Sequence, residues 1–95
     1  MDVRPSLTLD AVREWMVGYV SSVLEIPKSS ISTDVAFDTY GLDSAEGVIM
    51  AGVIEEEFGL EVDPAIFFED PNIDGVSKVI LRLRQQQQVD PSSPD

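Results

Sequence analysis

Apolar side chains recur at Leu9, Val12, Trp15, Met16, Tyr19, Val20, Val23 and Leu24, the spacing that lines one face of an α-helix. This predicts a first helix over Leu9 to Leu24, with Thr8 as N-cap, Asp10 placed well against the dipole and Pro27 as the stop. From Lys28 to Asp43 the chain mixes Ser29, Ser30, Ser32, Thr33, Asp34, Asp38 and Gly41 with scattered Ile31, Val35, Phe37, Tyr40 and Leu42. That composition predicts a long loop, too apolar to be a free linker and therefore anchored on the core. Asp43 and Glu46 have N-cap and N3 character, opening a second helix over Ser44 to Phe58 with Val48, Met50, Ala51, Ile54 and Phe58 largely on one side. Gly47 and Gly52 each cost ~1 kcal/mol against alanine in a helix interior, so packing must hold this helix or a neighbour must approach it closely there. Asp63 and Pro64 fit the N-cap and first position of a brief helix through Phe68, stopped before Pro71. Asn72 caps a last helix on which Ile73, Val76, Val79, Ile80 and Leu83 share a face and Lys78, Arg82 and Arg84 suit the C-terminal half.

Four helices, one of them short, with a long first loop and no sustained alternation, predict an all-α four-helix bundle whose core draws about five large residues from each of three helices. Residues 1–7 read as an N-terminal extension and 8–84 as the folded domain. Residues 85–95, four glutamines followed by Val-Asp-Pro-Ser-Ser-Pro-Asp, read as a disordered tail or linker. Ninety-five residues hold one small core at most, and 43% hydrophobic with 25% charged residues is the composition of a globular domain.

Charge narrows the function classes. Eighteen acidic residues against six basic give a net charge of −12, which duplex phosphates repel; nucleic acid is excluded as a partner and cationic surfaces are favoured. Twelve of the acids fall between Lys28 and Lys78, where no cation occurs. Adjacent Glu55, Glu56 and Glu57 repel one another, so a binding surface explains them better than stability does. The chain has no cysteine and no histidine, which removes disulfides, thiolate metal sites and the usual general base. No apolar stretch is long enough to span a membrane and the first residues lack a secretory pattern, so a cytoplasmic monomer is expected.

Two segments carry candidate chemistry. Asp70, Asn72, Asp74 and Gly75 match the opening of a calcium-binding loop, but the twelfth position is Leu81 and the ninth is Lys78, so capping and turn formation account for them better than metal ligation. Ser44 follows Gly41, Leu42 and Asp43. Gly41 permits a turn, Leu42 plugs into the core, and Asp43 supplies the cap, which leaves the Ser44 hydroxyl free at the first helical position. A phosphate ester there meets unpaired N–H groups and the positive end of the dipole. Nothing nearby in sequence can deprotonate Ser44, so it reads as a modification acceptor rather than a nucleophile, and no residue is assigned a catalytic role.

Gly41-Leu42-Asp43-Ser44, the helix ending Glu55-Glu56-Glu57-Phe58-Gly59, and Phe67-Phe68-Glu69-Asp70-Pro71-Asn72-Ile73 together resemble the acyl and peptidyl carrier proteins, over about Leu9 to Leu83. The resemblance implies a four-helix fold and a 4′-phosphopantetheine group on Ser44, installed from coenzyme A by a phosphopantetheinyl transferase, with Asp43, Leu42 and Gly41 shaping the site. It implies a non-catalytic carrier of acyl thioesters for polyketide, nonribosomal peptide or specialised fatty acid pathways. Its partners would be acyl-activating, synthase or acyltransferase enzymes with basic patches, meeting Asp43, Glu46, Val48, Glu55, Glu56 and Glu57 on helix two. Ala45, Gly47 and Gly52 depart from the larger side chains common in that family. Ile54, Phe58, Ile66 and Phe67 are candidates to line space for an acyl chain, although their usual burial favours ordinary core. A cofactor-free acidic interaction module and a calcium sensor are the alternatives.

Overall fold

Thr8 Oγ1 accepts the Ala11 N–H at 3.1 Å, and α1 (Leu9–Leu24) begins where its sequence places the cap. The computed structural model describes residues 7–88. Helix α1 stops on Glu25, which adopts a left-handed conformation at φ 59° and donates its N–H to the Ser21 carbonyl, so the turn precedes Pro27 by two positions. Two 3-10 turns, Lys28–Ser30 and Phe37–Tyr40, shape the long loop. Helix α2 (Ser44–Phe58) is capped by Asp43 and ends on Gly59 at φ 66°. Asp63 does initiate a turn, accepting the Ala65 N–H at 3.0 Å, but regular helix α3 starts later and covers Ile66–Glu69.

Helix α4 (Ile73–Gln88) opens on an Asn72 cap, whose Oδ1 accepts the Gly75 N–H at 2.7 Å. Gln85 to Gln88, expected to begin a disordered tail, continue the helix instead. Glutamine is a good helix former, and the Gln87 amide clasps the Glu61 backbone, accepting its N–H at 2.9 Å and donating to its carbonyl at 3.1 Å. The rest of the expected tail, 89–95, and residues 1–6 of the expected extension lie outside the described residues. Leu7 packs against the core. Among the described residues the only β-type pairing is an isolated bridge between Ala36 and Asn72.

The core joins Val12, Met16 and Val20 of α1, Met50, Ala51 and Ile54 of α2, Ile66 and Phe67 of α3, and Ile73, Val76 and Ile80 of α4. Four further buried side chains, Phe37, Leu42, Leu60 and Val62, come from loops, so the expectation of five residues from each of three helices gives way to a core partly built from connections. The long loop is tied down by its backbone: Phe37 N–H donates to Pro71 O at 2.8 Å and Asp74 N–H to Thr33 O at 2.9 Å. Arg13 links α1 to α4, its Nε donating to Asp74 Oδ1 and its Nη1 to Asp10 Oδ1, both at 2.9 Å.

Val48 is a correction. It does not share the buried face of α2 with Met50, Ala51 and Ile54 but stands 58% exposed. The two helical glycines also differ. A Cβ on Gly47 would sit 3.6 Å from the Phe67 side chain, an ordinary contact, whereas one on Gly52 would meet nothing. A neighbour therefore lies beside Gly47 alone, at a distance that a methyl group would fit.

Candidate functional site

The loop leading to Ser44 is set residue by residue. Gly41 closes the second 3-10 turn at φ 84°, where a side chain would be strained, and donates its N–H to Asp38 O at 3.0 Å. Leu42 donates to Phe37 O at 3.1 Å and buries its side chain, which fixes the direction in which α2 departs. Asp43 then takes two N–H groups, Glu46 through Oδ1 and Gly47 through its carbonyl, each at 3.1 Å. Ser44 is the first residue of α2 and its side chain is exposed. The Ser44 and Ala45 N–H groups, in the first turn and without an intrahelical acceptor, remain turned toward the positive end of the helix.

An apolar groove of about 320 Å³ begins at Ser44 and runs between α2 and α3. Phe37, Leu42, Met50, Phe67, Phe68 and Pro71 line it, and Gly47 keeps its α2 wall low. The Phe37 and Phe67 rings pack at 5.8 Å between centroids. These residues suit a phosphodiester-linked, partly apolar arm: an outward hydroxyl, free N–H groups beside it, and an apolar trough leading away. Of the four side chains considered for an acyl space, only Phe67 faces this groove. Ile54 is wholly buried, Ile66 is core, and Phe58 packs edge-on against Trp15 at 5.3 Å.

The expected docking residues do not form one face. At about 100° per residue, Ser44, Val48 and Glu55 fall along the flank of α2 that looks toward α3. Glu46 and Glu57 fall on the opposite flank, and Glu56 lies between, on the outward side. Glu46 is half-buried near Tyr19, whose hydroxyl is held above its ordinary pKa of 10.0 by burial and, secondarily, by the Glu46 carboxylate. Glu55 Oε2 accepts the Val62 N–H at 2.9 Å and so helps hold the α2–α3 loop. The surface beside Ser44 is instead apolar, with Val48 58% and Phe68 66% exposed, and Ile49, also more than half exposed, continues it onto the outward side of α2. Ile49 and Phe68 were missed by the sequence reading. The signal was present: Val48, Ile49 and Met50 in a row span about 200° of helix, and adjacent Phe67 and Phe68 on a short helix cannot both point inward.

The calcium-loop residues have other duties. Asn72 caps α4, Asp74 pairs with Arg13, and the Asp70 side chain covers Gly75, where any Cβ would collide with it. Among the described residues no cluster of three or more potential metal ligands occurs, and no helix is long and apolar enough to cross a membrane.

The profile of the family described as "Phosphopantetheine attachment site" matches residues 14–80. The chain is 30% identical over 78 residues to the acyl carrier protein TtuC of Teredinibacter turnerae, a match covering 82% of this chain and 90% of that protein. It is 29% identical over 76 residues to the conidial yellow pigment biosynthesis polyketide synthase of Emericella nidulans, covering 80% of this chain but 4% of that much longer protein. Among solved structures, that of the acyl carrier protein LipD from Actinoplanes friuliensis superposes with a TM-score of 0.73 at 29% identity, covering 90% of this chain and 96% of that one.

Proposed function

The chain belongs to the phosphopantetheine attachment site family, and from that premise we propose that Ser44 bears the 4′-phosphopantetheine through which it carries acyl groups between enzymes. It is a carrier protein rather than a catalyst, of the kind found in polyketide and nonribosomal peptide pathways. The observation that carries the assignment to Ser44 is its exposed hydroxyl at the first position of α2, beside an apolar groove and behind a cap already made by Asp43.

When bound, the group supplies a thiol on which an acyl unit is held as a thioester. The chain's own residues prepare its attachment point. Gly41 and Leu42 aim the start of α2, Asp43 satisfies Glu46 and Gly47, and the remaining N–H groups favour an anionic phosphodiester on Ser44. No histidine or lysine stands by the hydroxyl, so the base that removes its proton belongs to the transferase. Phe37, Met50 and Phe67 offer apolar cover to whatever lies along the groove.

Docking combines two surfaces. Val48 and Phe68 line the groove beside Ser44 and give a partner apolar contact close to the arm, Ile49 adds an exposed side chain on the outward side of α2, and Glu56 at the far end of the helix steers basic partners toward it. Those partners are a phosphopantetheinyl transferase and the synthases or acyltransferases that load and unload the arm. Brief contacts of this kind permit the release that a shuttle requires. A monomeric carrier in the cytoplasm fits the high negative charge. The cofactor-free module has no feature in its favour once the family is known.

Intact mass after incubation with coenzyme A and a phosphopantetheinyl transferase tests the assignment. One phosphopantetheine is expected on the chain and none on Ser44→Ala. Modification that persists in Ser44→Ala, or that peptide mapping places on another serine, overturns it.

A further inference from the structure

A second groove lies toward the C-terminal end of α2, on the other side of Pro64 and Phe67 from the groove at Ser44. It is open, about 620 Å³ in volume, and runs between the C-terminal end of α2, the α2–α3 loop and α4. Val62 and Ile66 form a buried floor, and Val79 and Leu83 of α4, both half-buried against the core, form one wall. Glu55, Glu61 and Asp63 stand on the other side. Its backbone is already fixed: Val62 N–H is held by Glu55, Glu61 is clasped at both its N–H and its carbonyl by Gln87, and Leu60 N–H donates to Glu55 O at 3.3 Å. A surface built this way loses little conformational freedom when covered.

Charge decides what can cover it. Among the described residues the ion pairs are those of Arg13, and none involves Glu55, Glu61 or Asp63. Lys78 and Arg82 sit beside Val79 and Leu83 on α4 without pairing with these carboxylates, and Arg84 donates to Phe58 O at 3.2 Å. A second copy of the chain would bring another net charge of −12 to the same acids. Residues 89–95 carry two aspartates and no cation, so their composition does not complement the rim either.

We propose that this groove docks a cationic amphipathic helix of a partner protein, with apolar side chains laid over Val79 and Leu83 and Lys or Arg set against Glu55, Glu61 and Asp63. Glu55 lies eleven residues beyond Ser44 on α2, about 16 Å along the axis, so a partner held there leaves the serine open. The groove then acts as a standing tether: one partner keeps the carrier in place while other enzymes reach Ser44, raising their effective concentration. Only that consequence rests on the carrier reading; the docking itself does not.

The probe is a synthetic helical peptide of about 14 residues, leucine on one face and lysine on the other, with a glutamate-for-lysine counterpart. Amide shifts are followed by NMR on the unmodified full chain. The lysine peptide is expected to move Val62, Ile66, Val79 and Leu83 and to bind about tenfold more weakly to Glu61→Lys/Asp63→Asn, in which asparagine retains the oxygen that caps Ala65. Glu56→Lys/Glu57→Asn, an equal change of charge outside the groove, is expected to bind about as well as the parent. Shifts spread over all acidic residues, equal weakening by both double variants, equal binding of the glutamate peptide, no binding, or covering of these residues by a second copy in sedimentation each overturn the proposal. With the peptide bound, the rate at which a transferase modifies the chain is expected to stay within about twofold, and a block overturns the tether. A chain unmodified with or without peptide overturns the Ser44 reading instead, and the NMR result stands apart from it.

Discussion

Ser77 is wholly buried in α4, and its Oγ has no hydrogen-bond partner. A buried hydroxyl without a protein partner gives up hydration that no protein group replaces, at a cost of about 1–3 kcal/mol. Ser77→Ala removes that cost and adds about 0.5 kcal/mol of helix propensity. Against this stand the dispersion contacts of one oxygen, each ~0.1–0.2 kcal/mol, so several of them lose less than about 1 kcal/mol. The balance is a stabilisation of about 1–2 kcal/mol. In a domain of this size each 1 kcal/mol raises the melting temperature by about 4–8 °C. Thermal unfolding followed by circular dichroism, with urea unfolding read from Trp15 fluorescence, measures it. Ser77 lines neither groove, so modification of Ser44 should proceed at the parent rate. A melting temperature equal to or below the parent's would refute the reasoning, because it would mean that the hydroxyl is satisfied in solution.

Gly52→Ala is expected to stabilise the chain by about 0.5–1 kcal/mol, since its Cβ meets nothing and glycine is costly inside a helix; chemical denaturation checks it. Phe68→Ala should leave stability within about 0.5 kcal/mol, because the ring is 66% exposed, yet slow modification of Ser44 by several-fold through lost apolar contact; paired melting and transferase kinetics separate the two effects. Raising salt from about 0.05 to 0.5 M should reduce partner encounter with the parent, and Phe68→Ala should retain the same salt dependence because its ring carries no charge. The Tyr19 hydroxyl titrates above 10.0, for burial and the Glu46 carboxylate both favour its neutral form. The stability contributed by that shift is fully present below pH 10.0 and is lost as the pH rises through the higher folded value. Absorbance of the phenolate in a Tyr40→Phe background should show late ionisation, brought down part of the way by Glu46→Gln; ionisation at or below the ordinary value would contradict the burial described here.

Much of the architecture is legible from local chemistry. The α1 periodicity, the Thr8, Asp43 and Asn72 caps and the turn at Gly41 depend on residues within a few positions of one another, and all lie where the pattern puts them. Ser44 belongs to the same class, since its exposure at the head of α2 follows from the cap in front of it. The buried side of α2 is different. That helix is apolar on its outward side as well, through Ala45, Val48 and Ile49, so periodicity cannot say which apolar stripe turns inward.

Contacts between distant segments decided the remainder. Gln87 extends α4 because Glu61, 26 positions away, presents both its N–H and its carbonyl. Phe37 and Leu42 became core because Pro71 and Thr33 anchor their loop to the start of α4. The run Glu55, Glu56 and Glu57 reads as one patch along the chain, but helical rotation sends its members in different directions and leaves Glu55 beside α3 and α4. A one-dimensional pattern records which residues are neighbours in the chain. The first groove exists only where α2, α3 and the long loop meet and the second only where α2, α3 and α4 meet, because their walls come from segments that the chain keeps apart until it folds.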